Sequence, residues 1–255
     1  MRGDTEAVER VRASGNILLG RLSRSDQALI EPHAEAVTVD CGSPLLVPDD
    51  PLDAVFFPGT ALVSLQEGAE LRHRVEIAVV GREGMLGWAG LLGSDRSCHL
   101  AMVRMRPGTL LRVPLPPLRL ACARSPSLQA ALLQFVHVMI VQMSRAISSG
   151  LQHSLDQRLA RWLLMRHDRV GGDLLTVHHD EIAESMNVRR ASVTDWLHVL
   201  EGERLLRCTR GRIVVRDRGG LEAFAGEAYG AAEAQYRLLI APFGKSVPVK
   251  AHQLH

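Results

Sequence analysis

The sequence predicts an α+β chain in three parts: an N-terminal sandwich or jelly-roll barrel of short strands, a long central helix, and a C-terminal helix-turn-helix backed by a basic hairpin. Three observations carry this reading. Short apolar runs broken by glycine and proline fill residues 36–114, the pattern of all-β sandwiches and barrels. From Ser127 to about Leu151 no proline occurs, and no glycine before Gly150. Residues 176–218 hold two short helical segments around Asn187, then an arginine-rich pair of strands.

Taken in order, residues 1–15 read as a loose, charged leader without the apolar stretch of a signal segment. Asn16 to about Arg24 and Ser25 to Ile30 read as short helices, with Ser25 and Asp26 as cap candidates. The strand candidates are 37–39, 45–47, 54–57, 62–65, 75–80, 100–103 and 110–113, and residues 16–125 form the first domain. Gly42, Pro44, Pro48, Pro58, Gly59, Gly68, Gly81, Gly84 and Gly108 lie in the breaks. Pro114 to Pro126 is a turn-and-helix connector.

The long helix and its hinge, residues 126–153, carry two apolar stripes. Leu128, Leu132, Phe135, Met139, Gln142, Ala146 and Ser149 follow heptad spacing. Leu133, Val136, Ile140, Met143, Ile147 and Leu151 run beside them. A surface helix needs one such stripe, so two imply burial on two sides. One side packs on the barrel and the other on a partner helix. Residues 128, 132, 135, 139, 142 and 146 are the expected seam of a two-fold homodimer.

Residues 154–240 form the second domain. Leu155 to Val170 is amphipathic, with Leu155, Leu159, Trp162, Leu163 and Met165 inward and Arg158, Arg161, Arg166 and Arg169 outward. In the motif that follows, Ala183 is the small residue where two steeply crossing helices touch. Asn187 is a turn residue that tolerates positive φ cheaply. Ile182, Val193, Trp196 and Leu197 lock the pair together. The second helix opens with Arg189 and Arg190 and presents Ser192 and Thr194, types that reach phosphates and base edges in a major groove. Residues 205–208 and 213–215 then read as strands joined at Gly211, with Arg210 and Arg212 at the tip, a wing suited to phosphate contacts. Two more helices lie within 221–240, and 241–255 reads as a frayed tail.

Composition bounds the function. At 255 residues with 46% hydrophobic content, two modest domains can have cores. Net charge is only +2, so attraction to a polyanion is local to the second domain. Cys41, Cys98, Cys122 and Cys208 form no C-x-x-C pair and read as reduced, mostly buried thiols of a cytoplasmic protein. Ala130 to Val141 is too short and interrupted to span a bilayer. A metal-dependent barrel enzyme would need clustered histidines, and residues 36–114 offer only His73 and His99. No nucleophile–base pair or phosphate loop of convincing spacing occurs, so no catalytic residue, metal site or cofactor is assigned. A ligand-binding module that acts through protein contacts remains the alternative to DNA binding.

The order of parts resembles the Crp/Fnr (cyclic-AMP receptor and fumarate-nitrate regulator) family. The likeness is strongest in Val80-Gly81-Arg82-Glu83-Gly84-Met85-Leu86-Gly87, in Gln157-Arg158-Leu159-Ala160-Arg161-Trp162-Leu163-Leu164, and in Val188-Arg189-Arg190-Ala191-Ser192-Val193-Thr194. The resemblance implies a β-roll sensor with a cyclic-nucleotide-binding-like fold, a dimerisation helix and a winged helix-turn-helix. It also implies a homodimeric transcription factor that binds double-stranded DNA at an inverted repeat, contacts RNA polymerase and answers to a small effector. The implied effector pocket comprises Gly84, Gly87, Trp88, Arg96 and Ser97. Cyclic-AMP-binding members carry a glutamate for the ribose where Trp88 stands, and an indole can only donate. The expected effector is therefore not cyclic AMP, or there is none. Arg96 reads equally as an anion contact or a surface loop arginine. Of the arginine, glutamate and second arginine that some members use on the recognition helix, only Arg190 matches; Ala191 and Asp195 fill the other two positions. Asp195 could pair with Arg189 or Arg190. A haem-binding member would need an axial ligand near the long helix, where His137 is the one candidate.

Overall fold

The computed structural model describes residues 11–68 and 74–245. Every strand candidate of the first part forms, most of them longer by a residue or two. One sheet is ordered β1 (Glu35–Val39), β7 (Gly108–Pro114), β3 (Ala54–Pro58); the other is ordered β2 (Pro44–Leu46), β6 (Leu100–Arg104), β4 (Leu62–Glu67), β5 (Val75–Val80). All pairings are antiparallel, with Phe57 opposite Leu111 and Val63 opposite both Val80 and Val103. These side chains are fully buried and form the interior of the roll. The outer edge of β3 is not left open. Phe56 and Leu86 exchange backbone bonds of 3.0 and 2.8 Å, which blunts the edge against pairing with another chain.

Two short helices, α1 (Ile17–Arg21) and α2 (Arg24–Ile30), precede the roll. Their caps are Asn16 and Ser23, whose side chains accept from Leu19 N and Asp26 N, and not the expected Ser25 and Asp26. The Asp26 carboxylate instead accepts from Ser125 and Ser127, tying α2 to the start of the long helix. Burial pushes its pKa up, but the hydroxyls of Ser125, Ser23 and Ser127 outweigh it and hold the carboxyl below its usual range. The described end of the expected leader is anchored. Val11 is buried and its N–H meets the Glu31 carboxylate at 3.1 Å.

Helix α3 (Leu115–Arg124) leads to α4 (Pro126–Gln152), which Ser125 caps. Here the assignment of the two stripes reverses. Leu128, Leu132, Phe135, Met139 and Gln142 are buried within the chain's own core, and Gln142 Oε1 accepts from Val79 N at 2.8 Å. Ala146 is half-buried. The expected seam therefore faces the roll. The exposed stripe is its neighbour: Ile140 is 51% exposed, Ile147 65% and Leu151 83%. Heptad spacing records that a helix face is buried, not which surface buries it. At 27 residues and mean hydropathy 1.4, α4 is also long and apolar enough to cross a membrane by length and composition, unlike the shorter run read from sequence. Its packing against the roll accounts for one side of that apolarity.

Helix α5 (Leu155–His167) starts at a Ser154–Gln157 capping box. Its apolar face joins α6 (His179–Met186), α7 (Arg190–Gly202), α8 (Arg218–Ala225) and a small sheet ordered β8 (Leu174–Thr176), β10 (Arg212–Val215), β9 (Leu206–Thr209). Strand β8 was not anticipated; at three residues it is too short to carry a period. The arginine face of α5 does not point to solvent. Arg166 is fully buried, stacks on Trp162 at 3.3 Å and forks onto Glu76 of β5 at 2.9 and 2.5 Å. Arg169 meets Glu83 at 2.8 Å, both nearly inaccessible. Burial lowers the pKa of Arg158 and Arg161. Arg161, which reaches Gln142 O, Arg166 and Arg169 contribute to the contact between the two halves of the molecule.

The last helix, α9 (Ala231–Leu239), returns to α4. Tyr236 is buried there and donates to Glu83 O at 2.7 Å. Residues 241–245 are not frayed, since Ala241 and Phe243 pack into the core of the roll. All four cysteines are free, but Cys41 and Cys98 are exposed, contrary to the expectation of mostly buried thiols.

Candidate nucleic-acid interface

The two-helix motif forms as its residues dictate. Asn187 takes φ 52° and ψ 53°, and its N–H caps α6 on the carbonyls of Ala183 and Glu184. Ala183, Ile182, Val193 and Leu197 are buried between the helices; Trp196 is half-buried beside them. Arg158 reaches in from α5 to donate to Met186 O at 3.2 Å, bracing the turn.

Helix α7 begins at Arg189 with no side-chain cap and no acid in its first turn. Its leading N–H groups thus have no capping side chain and no acid in their own turn, an arrangement that favours phosphate. Arg189 and Arg190 are both exposed. Arg190 lies 3.3 Å from Asp180, not from Asp195; both partners are exposed, so the pair is weak and can exchange for phosphate. Thr194 is less available than expected. It is half-buried and its hydroxyl bonds His179 Nδ1 at 2.9 Å. Ser192 is half-buried as well, whereas Ala191, Asp195 and His198 are exposed on one face of α7. His198 was missed by sequence reasoning; the i, i+4, i+7 spacing from Ala191 would have found it.

The wing carries Arg210 and Arg212, both exposed. Between them Gly211 has φ +69°, and a Cβ there would come within 2.9 Å of the His178 ring. Only glycine fits, because the turn is left-handed and its back rests on the start of α6. Arg207 and Arg216 are exposed on and just after the same hairpin, so the wing presents several cationic side chains to solvent.

In the roll, the expected pocket residues do not all converge. Gly87, with φ +81°, starts a 3₁₀ turn at Trp88–Leu92, and Trp88 sits with Leu46, Leu65, Ser97 and Cys98 around a space of about 20 Å³. That is room for about one water. Ser97 is buried and donates to His99 O. Arg96 points away, donating to Asp49 O at 2.5 Å on the exposed surface. Gly84 belongs elsewhere: a Cβ on it would lie 2.0 Å from Phe135, so it is the close-approach point of the roll and α4. The indole fills the space that the resemblance assigned to a ligand. His137 is exposed on α4.

A roll joined by a long helix to a winged helix-turn-helix is the architecture of a DNA-binding transcriptional regulator. Residues 157–224 match the Crp-like helix-turn-helix domain. Over 205 residues the chain is 26% identical to the global nitrogen regulator of Synechocystis sp., covering 76% of this chain and 89% of that one. Its fold matches a CRP/FNR-family transcriptional regulator of Thermus thermophilus with TM-score 0.61 and 24% identity, over 75% of this chain and 98% of that one. It also matches the cyclic-di-GMP-responsive global regulator of Xanthomonas campestris with TM-score 0.62 and 16% identity, over 76% and 99%. Its helix-turn-helix domain is thus similar to the Crp-like one, and its fold to that of CRP/FNR-family transcriptional regulators.

Proposed function

We propose that the protein is a cytoplasmic homodimer that binds an inverted-repeat DNA site through paired α7 helices and contacts RNA polymerase when bound. The observation that carries this is the uncapped, acid-free start of α7 with exposed Arg189 and Arg190, in a motif whose wing exposes Arg210 and Arg212. Arg190 with Ser192 and Thr194 reads the groove, while Arg189, Arg210 and Arg212 hold the backbone. The exposed stripe of Ile140, Ile147 and Leu151 supports dimerisation through α4, an apolar line that a second copy would cover. Two recognition helices about one duplex turn apart then require a palindromic site.

Signals reach α7 through the contact between β5 and α5–α6. A ligand or partner that binds one arrangement of that contact better shifts its population, and with it the spacing of the recognition helices. The space of about 20 Å³ that Trp88 lines is too small for a nucleotide in this arrangement, which supports the expectation of an effector other than cyclic AMP or of none.

Selection of bound duplexes from a random pool should enrich an inverted repeat. On that site Arg190→Ala should raise Kd by about 5–100-fold, from loss of about 1–3 kcal/mol of base discrimination. Arg210→Ala should weaken binding to all sequences and reduce the salt slope by about 1. Failure of both variants to change binding would refute the docking.

A further inference from the structure

A cavity of about 370 Å³ lies where β5, the end of α4, α5 and α6 meet. Its apolar lining includes Val75, Ile77 and Met186, together with Ile147 of the exposed α4 stripe proposed above as the dimer seam. Its polar lining is almost entirely of donors. Arg158 and Arg161 border it, and among the described residues the one hydrogen bond of each runs to a backbone carbonyl, Met186 O at 3.2 Å and Gln142 O at 3.5 Å, with Arg161 also in the field of Glu233. Ser149, Trp162 and Ser185 also line it. Each is at least nine-tenths buried, yet Ser149 Oγ, Trp162 Nε1 and Ser185 Oγ have no hydrogen-bond partner among the described residues. The one carboxylate at the wall, Glu76, already has both oxygens held by Arg166.

Buried donors without acceptors cost free energy unless something accepts from them. Two arginines, an indole N–H and two hydroxyls beside an apolar wall match one kind of guest. We infer that this cavity binds a small organic anion, a carboxylate on an apolar body of medium length, and that it is a signal-entry point of the regulator. The volume is within the range of small-molecule sites. The inference rests on the regulatory reading above and deepens it, since a guest here touches β5 of the roll and α6 of the DNA-binding motif at once. Its differential affinity for docked and undocked arrangements biases α7 directly, and binding must be reciprocal with DNA.

The test uses the full chain with octanoate, with succinate as charge without an apolar body and octanol as apolar body without charge. Octanoate at a hundred times its Kd should raise the unfolding temperature by about 5–10 °C; succinate and octanol should raise it far less. Arg158→Gln and Arg161→Gln should each weaken octanoate binding about 10–150-fold. Should either fail to fold by circular dichroism, Val75→Trp, which fills the cavity from the end of β5, should abolish the shift. No octanoate shift, equal shifts with all three compounds, or a shift unchanged in the folded variants overturns the site. Titrating DNA with and without octanoate gives a coupling factor. A factor of one overturns the signal role, while DNA binding that is absent throughout overturns the regulatory reading instead.

Discussion

The contact between the roll and the DNA-binding half makes a sharp prediction at Glu76. Its carboxylate receives both terminal nitrogens of Arg166, with side-chain exposures of 7% and 0%. At a surface-like effective dielectric, such a pair about 4 Å apart is worth about 4 kcal/mol, and removing one buried partner typically costs about 3–5 kcal/mol because the other charge is left unpaired. Arg166 then keeps its stacking on Trp162, worth about 1–2 kcal/mol, and the more distant charge of Glu181. Glu76→Ala should therefore destabilise the chain by about 3–5 kcal/mol, up to the free energy that docks the two halves. Beyond that ceiling they separate without unfolding. Urea denaturation followed by circular dichroism reads the loss. Arg166→Met should cost a similar amount, and the double variant much less than the sum, because neither charge is then stranded. Additive losses, or a Glu76→Ala effect under about 1 kcal/mol, would refute the idea that this pair is buried and holds the halves together.

Ile140→Glu places a charge in the exposed stripe of α4 and should convert the proposed dimer to monomer in sedimentation velocity, with Leu132→Glu instead unfolding the roll. A predominantly dimeric Ile140→Glu protein would move the seam elsewhere. Gly84→Val should destabilise by about 1–3 kcal/mol or more through overpacking against Phe135, a loss visible as a lowered unfolding temperature. His167 is buried, accepts at Nδ1 from Arg218 at 2.8 Å and so must donate from Nε2 to Asp173 at 2.9 Å. Burial first, with the nearby Lys245 and Arg218 charges, lowers its pKa in spite of Asp173. The folded state therefore binds the proton more weakly than the unfolded one. Its contribution is present above the unfolded value of about 6.5 and is lost as pH falls below it. His167→Gln should flatten the stability profile below about pH 6.5, and an unchanged slope would contradict the neutral tautomer.

Much of the molecule was legible before any coordinates. The strands of the roll are announced by β-branched and apolar runs between glycines and prolines, because strand residues and turn residues differ locally. Asn187 and Gly211 are legible for the same reason, since a left-handed backbone angle restricts residue type wherever it occurs. Arg189, Arg190, Arg210 and Arg212 could be named because they lie within a few residues of those turns. What failed was long-range. Which stripe of α4 meets the roll, and whether the α5 arginines meet solvent or Glu76 and Glu83, depend on residues 63 to 90 positions away in sequence. A stripe or a charged face carries no record of its partner.

The sequence by itself determined most of the elements, their order, the turn residues Asn187 and Gly211 and the arginines at the start of α7, all of which follow from local backbone and side-chain preferences. Only the tertiary structure decided that Trp88 closes the roll, that α9 and Phe243 return to its core, and that the two halves meet through buried ion pairs around a donor-lined cavity. Those outcomes depend on what volume and charge arrive from distant segments, and packing settles them only once the chain has folded.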